Sequence, residues 1–198
     1  MRATGPSHLV PPALFEHRLR GRDRQLRRIR AGIARVQRGT GSVVAVTGEA
    51  GIGKSRLLGE TVELARDAGL SVASASCAEL ERGRLFGPLI DALRTESGRL
   101  EQRRASIAEL LARPEIPGSK LRSPDVRFLA HESIVALVEE LATDSPLVLT
   151  VDDLQWADDA TIGALARLGR LAGQLPLVLV GAARPCVTGD PCDRLLRG

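Results

Sequence analysis

The sequence predicts an α/β fold, a three-layer sandwich in which helices cover both faces of a mainly parallel sheet. Segments 147–151 and 175–183 are continuously apolar. Strands without polar alternation are buried on both faces, as in a parallel sheet covered by helices. Helical periodicities separate the predicted strands along the chain, and parallel strands need such crossovers because a short hairpin cannot join them.

The composition is that of a folded domain. The 198 residues are 43% hydrophobic and 26% charged, which is ordinary for a soluble globular domain and favours a folded chain over a disordered one. The longest apolar stretch, 175–183, is far below the ~18 residues needed to span a bilayer. Cys77, Cys186 and Cys192 are odd in number and lack metal-ligand spacing, so neither a disulfide framework nor a zinc site is indicated. We therefore expect a soluble, cytoplasmic protein with reduced thiols.

Positive charge is concentrated at the start of the chain. Residues 1–40 hold ten arginines against only Glu16 and Asp23. The favoured interpretation is a solvated helix face, and binding to nucleic acid or an acidic partner is the alternative. Prolines and a lack of periodicity mark the first residues as an arm. We expect residues 1–19 to form a flexible basic arm, followed by the main domain.

A phosphate-binding motif lies in segment 42–55, SVVAVTGEAGIGKS. An apolar strand ends there in a glycine-rich turn that fits G-x-x-x-x-G-K-[ST], the P-loop. Glycines allow positive φ and close approach of backbone N–H groups to a phosphate, and a helix starting at the lysine directs its positive end to the same anion. The residues expected to bind a nucleoside triphosphate are Gly48, Glu49, Ala50, Gly51, Ile52, Gly53, Lys54 and Ser55.

Lys54 has the central role in this motif. It is one of only two lysines in a chain with 28 basic residues, so composition does not explain the match. Its ammonium is expected to reach the β- and γ-phosphates, and the Ser55 hydroxyl is expected to ligate Mg²⁺. The sequence therefore predicts a P-loop NTPase with ATP and Mg²⁺ as cofactors.

Regular elements are predicted around the motif. An amphipathic helix begins near Arg24, a strand covers 71–77, and three further helices lie near 86–93, around 107–111 and over 128–142. Prolines at 114, 117 and 124 mark a loop before the last of these helices. No strand or helix is predicted after Pro185.

Two carboxylates, Asp152 and Asp153, follow the buried strand 147–151. Ligands of open α/β sheets bind at the carboxyl ends of the strands, so both acids should lie near the phosphate loop. Asp152 is expected to help hold Mg²⁺, and Asp153 to orient or deprotonate an attacking water. A simple turn is the alternative, and it is less favoured downstream of a P-loop.

Further polar residues follow each of the two buried strands. Asp159 is expected to cap the next helix, and Trp156 would by itself be a packing residue. Arg184 ends the strand 175–183 and should arrive at the ligand edge. It either stabilises the γ-phosphate or makes a surface salt bridge, and the residues alone leave both open.

Four segments together resemble the ATPase domain of the large ATP-binding LuxR-type transcriptional regulators, in the STAND class of AAA+-related P-loop ATPases. They are GRDRQL (21–26), GEAGIGKS (48–55), LVLTVDDLQWAD (147–158) and LPLVLVGAARP (175–185). The resemblance implies a nucleotide domain over 20–185, Arg22 near the adenine, and Arg184 as a sensor of the γ-phosphate. Gln155 stands where these relatives usually have His.

The resemblance also implies elements that would follow the sensor strand, and the chain stops before them. We therefore expect a fold incomplete at its C-terminal side, with 186–198 a truncated tail. Two functions remain open, a slow ATPase that times a conformational change, and a nucleotide-binding interaction module or inactive fragment without turnover. Expected partners are ATP or ADP and a second copy of the chain, without specific DNA binding by this chain and without a membrane. The lack of N-K-x-D and L-S-G-G-Q segments disfavours a GTPase and an ABC-type ATPase.

Overall fold

The fold is an α/β domain built on a four-stranded parallel sheet with strand order β1-β4-β3-β2. The computed structural model describes residues 23–93, 98–112, 123–185 and 189–197. The strands are β1 (Ser42–Thr47), β2 (Ser71–Ser76), β3 (Leu147–Asp152) and β4 (Leu177–Ala183). The predicted fold class is confirmed, since the two continuously apolar segments are the central strands β3 and β4.

Helices connect the strands as the predicted crossovers. The α-helices in the described part of the chain are α1 (Asp23–Val36), α2 (Lys54–Asp67), α3 (Gly87–Ala92), α4 (Gly98–Ala112), α5 (Ser123–Asp144), α6 (Asp159–Leu171) and α7 (Pro191–Arg197). None of these helices is both long enough and apolar enough to cross a membrane.

Each face of the sheet has its own apolar core. Strand side chains alternate between the faces, so neighbours such as Val148 and Leu149 are buried in different cores. One core joins the sheet to α1 and α2, while the larger one joins it to α3, α4, α5, α6 and α7. This double covering buries every residue of β4 and all of β3 except Asp152, which is half-buried.

The first strand is covered on one face only. Val44 and Val46 are buried under α1 and α2, whereas Val43, Ala45 and Thr47 on the other face are exposed, Val43 by 49%. Within the described part of the chain, β1 pairs with β4 alone. Among the described residues, β1 therefore has one edge without a strand partner and one face that is largely exposed.

Two element predictions need correction. Helix α5 begins at Ser123 rather than near Phe128, because Pro124 occupies its first turn, where the missing N–H has no helical partner to lose. A helix, α7, forms after Pro185 where none was predicted. Its Cys192 is 4% exposed and joins the larger core, so tertiary packing stabilises a segment too short to be helical by itself.

Some predictions concern parts of the chain outside the described residues. These are the N-terminal arm with Arg22, most of the proline-containing loop, and Cys186.

Candidate functional site

The carboxyl ends of the parallel strands place the predicted site residues along one edge of the sheet. Strand β4 lies between β1 and β3, with Thr47 opposite Ala183 and Val151 opposite Gly181. The glycine-rich loop after β1 and the carboxylates after β3 therefore flank the end of β4. Neighbouring strands lie ~4.8 Å apart, so the two groups are separated by about two strand spacings, roughly 10 Å.

The loop between β1 and α2 has the backbone of an anion cradle. Gly51 and Gly53 adopt left-handed conformations, with φ of 76° and 88°. The Gly48 N–H donates to the Ala183 carbonyl oxygen at 3.3 Å and anchors the loop to β4. In the described ranges, the N–H groups of Gly51 and Gly53 make no hydrogen bond. Unpaired N–H groups in such a loop are suited to phosphate oxygens.

The Lys54 side chain is folded back onto this loop. Its ammonium donates to the carbonyl oxygens of Gly48 at 2.9 Å and Glu49 at 3.0 Å. Lys54 is only 6% exposed, although a buried ammonium is costly unless it is hydrogen-bonded. The loop thus holds a desolvated positive charge where a phosphate would bind.

Asp152 and Ser55 are suited to Mg²⁺. Along β3, Val148 is buried in the core formed with α2, and alternation directs Asp152 toward that same face. Ser55 is exposed in the first turn of α2. Mg²⁺ is typically held by one or two carboxylates together with substrate phosphates and water. One hydroxyl and one carboxylate on the phosphate side match that pattern.

Asp153 has different surroundings from Asp152. Its backbone is left-handed, with φ of 52° and ψ of 43°, so the chain turns away from the strand direction. The Asp152 carboxylate accepts the Asp153 N–H at 2.8 Å, while the Asp153 carboxylate accepts a bond from the Gln155 amide at 2.8 Å. The two acids are neighbours in sequence and are held by different partners.

Gln155 also contacts the end of β4, where its Oε1 accepts the Arg184 N–H at 2.9 Å. Arg184 follows β4 and is exposed at the same edge. No role was predicted for Gln155. The only signal was its departure from the usual His, and spacing alone cannot show a contact across 29 residues.

The cap of α6 is Asp158, and the prediction of Asp159 is wrong. The Asp158 carboxylate accepts the N–H groups of Ala160 and Thr161, and also the N–H of Phe86. Two adjacent aspartates offered two possible caps, and the extended backbone of Asp158, with φ of −71° and ψ of 156°, selects the first. Asp158 therefore ties the segment after β3 to the loop after β2.

Replacing Asp158 by Ala should destabilise the fold by about 2 kcal/mol, because α6 loses its cap and the buried Phe86 N–H loses its acceptor. Urea unfolding measures this change. Asp159→Ala is the matched control and should change the free energy of unfolding by less than about 1 kcal/mol, its contribution being to the helix dipole only. Equal effects of the two substitutions would contradict the assignment of the cap.

Cys77 lies among the same acids after β2. Burial raises the pKa of its thiol to about 12, and Asp158, Asp153 and Asp152 contribute to the rise because a thiolate beside them would be repelled. The Cys77 N–H donates to the Asp152 carbonyl oxygen at 3.1 Å. A thiol with so high a pKa stays protonated at neutral pH, so Cys77 is a packing residue rather than a nucleophile.

The fold and this edge define the class of protein. A parallel sheet with a glycine-rich loop, a buried lysine at the start of a helix and acids after a neighbouring strand is the arrangement of a P-loop nucleotide-binding domain. Residues 18–180 match the family model of the AAA ATPase domain. The chain belongs to this family of nucleotide-binding ATPase domains.

Individual proteins resemble this chain at identities of 28% or less. An uncharacterised protein of Rhizobium meliloti (strain 1021) is 28% identical over 178 residues, covering 78% of this chain and 17% of the relative. The chain thus spans about a sixth of that relative's length. A structure of Drosophila ORC bound to DNA has a TM-score of 0.49 at 17% identity, covering 84% of this chain and 38% of that one. The cytoplasmic domain of the type VII secretion ATPase EccC of Thermomonospora curvata has a TM-score of 0.37 at 18% identity, covering 79% and 18%.

Proposed function

We propose that this chain is the ATP-binding, slowly ATP-hydrolysing switch domain of a LuxR-type transcriptional regulator of the STAND class. The observation that carries the proposal is the buried Lys54 ammonium in its glycine loop, on the same sheet edge as Asp152 and Asp153. The doubled acid followed by LQWAD supports the narrower class. Its place of action would be the cytoplasm.

The proposed roles of the described residues follow from their positions, and that of Arg22 follows from the resemblance alone. The loop N–H groups and Lys54 would bind the triphosphate, with Arg22 near the adenine. Ser55 and Asp152 would hold Mg²⁺, which supplies positive charge to the β- and γ-phosphate oxygens. Asp153 would orient the attacking water and take up its proton, and Arg184 would stabilise charge on the γ-phosphate.

Two measurements test the proposal. Trp156 is the sole tryptophan, and it lies three residues after Asp153 under the Arg82 guanidinium at 5.5 Å. Its fluorescence should change saturably with Mg·ATP and not with Mg·GTP. Phosphate release should exceed that of Lys54→Ala. Binding without release would favour the non-hydrolysing module, and absence of both signals would refute nucleotide binding.

The open edge of β1 should make the chain self-associate. An edge strand with an exposed apolar face can pair with a second copy, and Val43 is 49% exposed there. We expect sedimentation velocity to show concentration-dependent association that Val43→Lys weakens. Leu80→Lys is the matched control, because Leu80 is 99% exposed away from that strand and should leave association unchanged. A monomer at every concentration would contradict this expectation.

A further inference from the structure

Gln155 makes two hydrogen bonds with different parts of the site. It lies in the short 3-10 turn Leu154–Trp156 between β3 and α6, and it is half-buried. Its Nε2 donates to Asp153 Oδ1 at 2.8 Å, and its Oε1 accepts the Arg184 N–H at 2.9 Å. One amide therefore joins the acid after β3 to the residue that ends β4.

The chemistry of the partners fixes the orientation of this amide. A carboxylate only accepts hydrogen bonds, and a backbone N–H only donates. A rotated amide would set oxygen against oxygen at Asp153 and N–H against N–H at Arg184. The bridge therefore needs a residue that carries both a donor and an acceptor at one end.

The backbone around Gln155 is packed closely enough to keep the bridge in place. Leu154 is 2% exposed and lies directly over Gly181 of β4, where an added Cβ would come within 2.7 Å of Leu154 Cδ1. The Trp156 N–H closes the turn by donating to the Asp153 carbonyl oxygen at 2.9 Å. Leu154 thus packs the turn onto β4 on one side of Gln155, and the Trp156 bond closes the turn on the other.

The bridge leaves part of Asp153 available. Oδ1 accepts the bond from Gln155, and Oδ2 accepts no hydrogen bond from any residue that the structure describes. A carboxylate oxygen that is free of protein donors can accept a proton from water. Gln155 holds the acid without adding charge beside it.

We infer that Gln155 is a positioning residue for ATP hydrolysis, whose amide keeps the Asp153 carboxylate at a fixed spacing from Arg184 at the end of β4. The inference rests on the proposed function. Asp153 would place the water and Arg184 would lie beside the γ-phosphate, so this spacing would set the line of attack. Small displacements of such groups have large effects on rate and small effects on ground-state binding.

Three substitutions test the inference. Gln155→Glu keeps the acceptor for the Arg184 N–H and replaces the donor with an oxygen that repels Asp153. Gln155→Leu removes both bonds. Gln174→Glu is the matched control, because it introduces the same charge at an exposed position before β4.

We expect Gln155→Glu to lower kcat for phosphate release about 100-fold and Gln155→Leu about 10-fold. The Kd for Mg·ATP measured by calorimetry should stay within about threefold of wild type, and the melting temperatures should be unchanged. Gln174→Glu should behave as wild type. A wild-type kcat in either Gln155 variant, or a loss of affinity as large as the loss of kcat, would overturn the positioning role.

A measurement without nucleotide separates this inference from the proposed function. Amide hydrogen exchange at Arg184 should accelerate in Gln155→Leu and remain slow in Gln155→Glu, because only the first removes the acceptor. Unchanged exchange in both variants would show that the bridge is absent and would overturn the inference. A wild type that releases no phosphate would instead refute hydrolysis, and the exchange data would still decide whether Gln155 makes the bridge.

Discussion

Asp153→Asn should lower the kcat for ATP hydrolysis by about 100- to 10,000-fold, the contribution of a positioned general base. The Kd for Mg·ATP should stay within about threefold of wild type, since Asp153 would act on water rather than on phosphate. Asn is a suitable replacement because it tolerates the left-handed backbone and can still accept the bond from Gln155. Phosphate release under saturating ATP measures the effect.

The matched variant is Asp152→Asn, which likewise replaces one carboxylate oxygen of the neighbouring acid by an amide nitrogen. It should raise the Mg²⁺ concentration needed for half-maximal ATP binding, because the metal would lose its carboxylate. The division of roles follows from the different partners of the two carboxylates. If both variants lost binding and turnover to the same extent, that division would be wrong.

Lys54→Ala should weaken Mg·ATP binding by about 100-fold, since hydrogen bonds from a charged donor contribute about 1.5–3 kcal/mol. The ammonium already donates to two loop carbonyl oxygens. A bound phosphate would replace these oxygens as the acceptor of a cation that is already ordered and desolvated. Calorimetry measures the loss.

The control for this substitution is Arg66→Ala. Arg66 lies in the last turn of α2 and pairs with Glu63 at 3.0 Å on the surface. Its removal takes one positive charge from the far end of the same helix and should leave ATP affinity unchanged. Equal affinity of wild type and Lys54→Ala would refute the assignment of the phosphate loop.

The fold was predictable because its signals are local and strong. Continuous burial of β3 and β4 follows from their unbroken apolar runs, and the glycine loop has a fixed spacing. Helix α7 was not predictable, because the burial of Cys192 against the larger core depends on residues distant in the chain. The start of α5 was missed for a different, local reason: a proline occurs as readily in a loop as in a first helical turn.

The site was predictable where a residue type occurs at a characteristic place in a motif or at the end of a strand. Lys54 and Asp152 occupy the expected edge, although their roles remain predictions. The contacts of Asp158 and Gln155 could not be predicted from the sequence. Their side chains accept hydrogen bonds from Phe86 and Arg184, which are 72 and 29 residues away. Polar side chains that join two loops leave no periodic pattern.

The left-handed backbone at residue 153 also limits which acid can occupy that position. Asp and Asn enter this conformation far more readily than residues with longer or branched side chains, because their short polar groups bond locally. A glutamate would carry its carboxylate one methylene further and would meet about 1–2 kcal/mol of backbone strain. The shape of the turn therefore favours an aspartate, and a search for related chains should allow for this shorter acid.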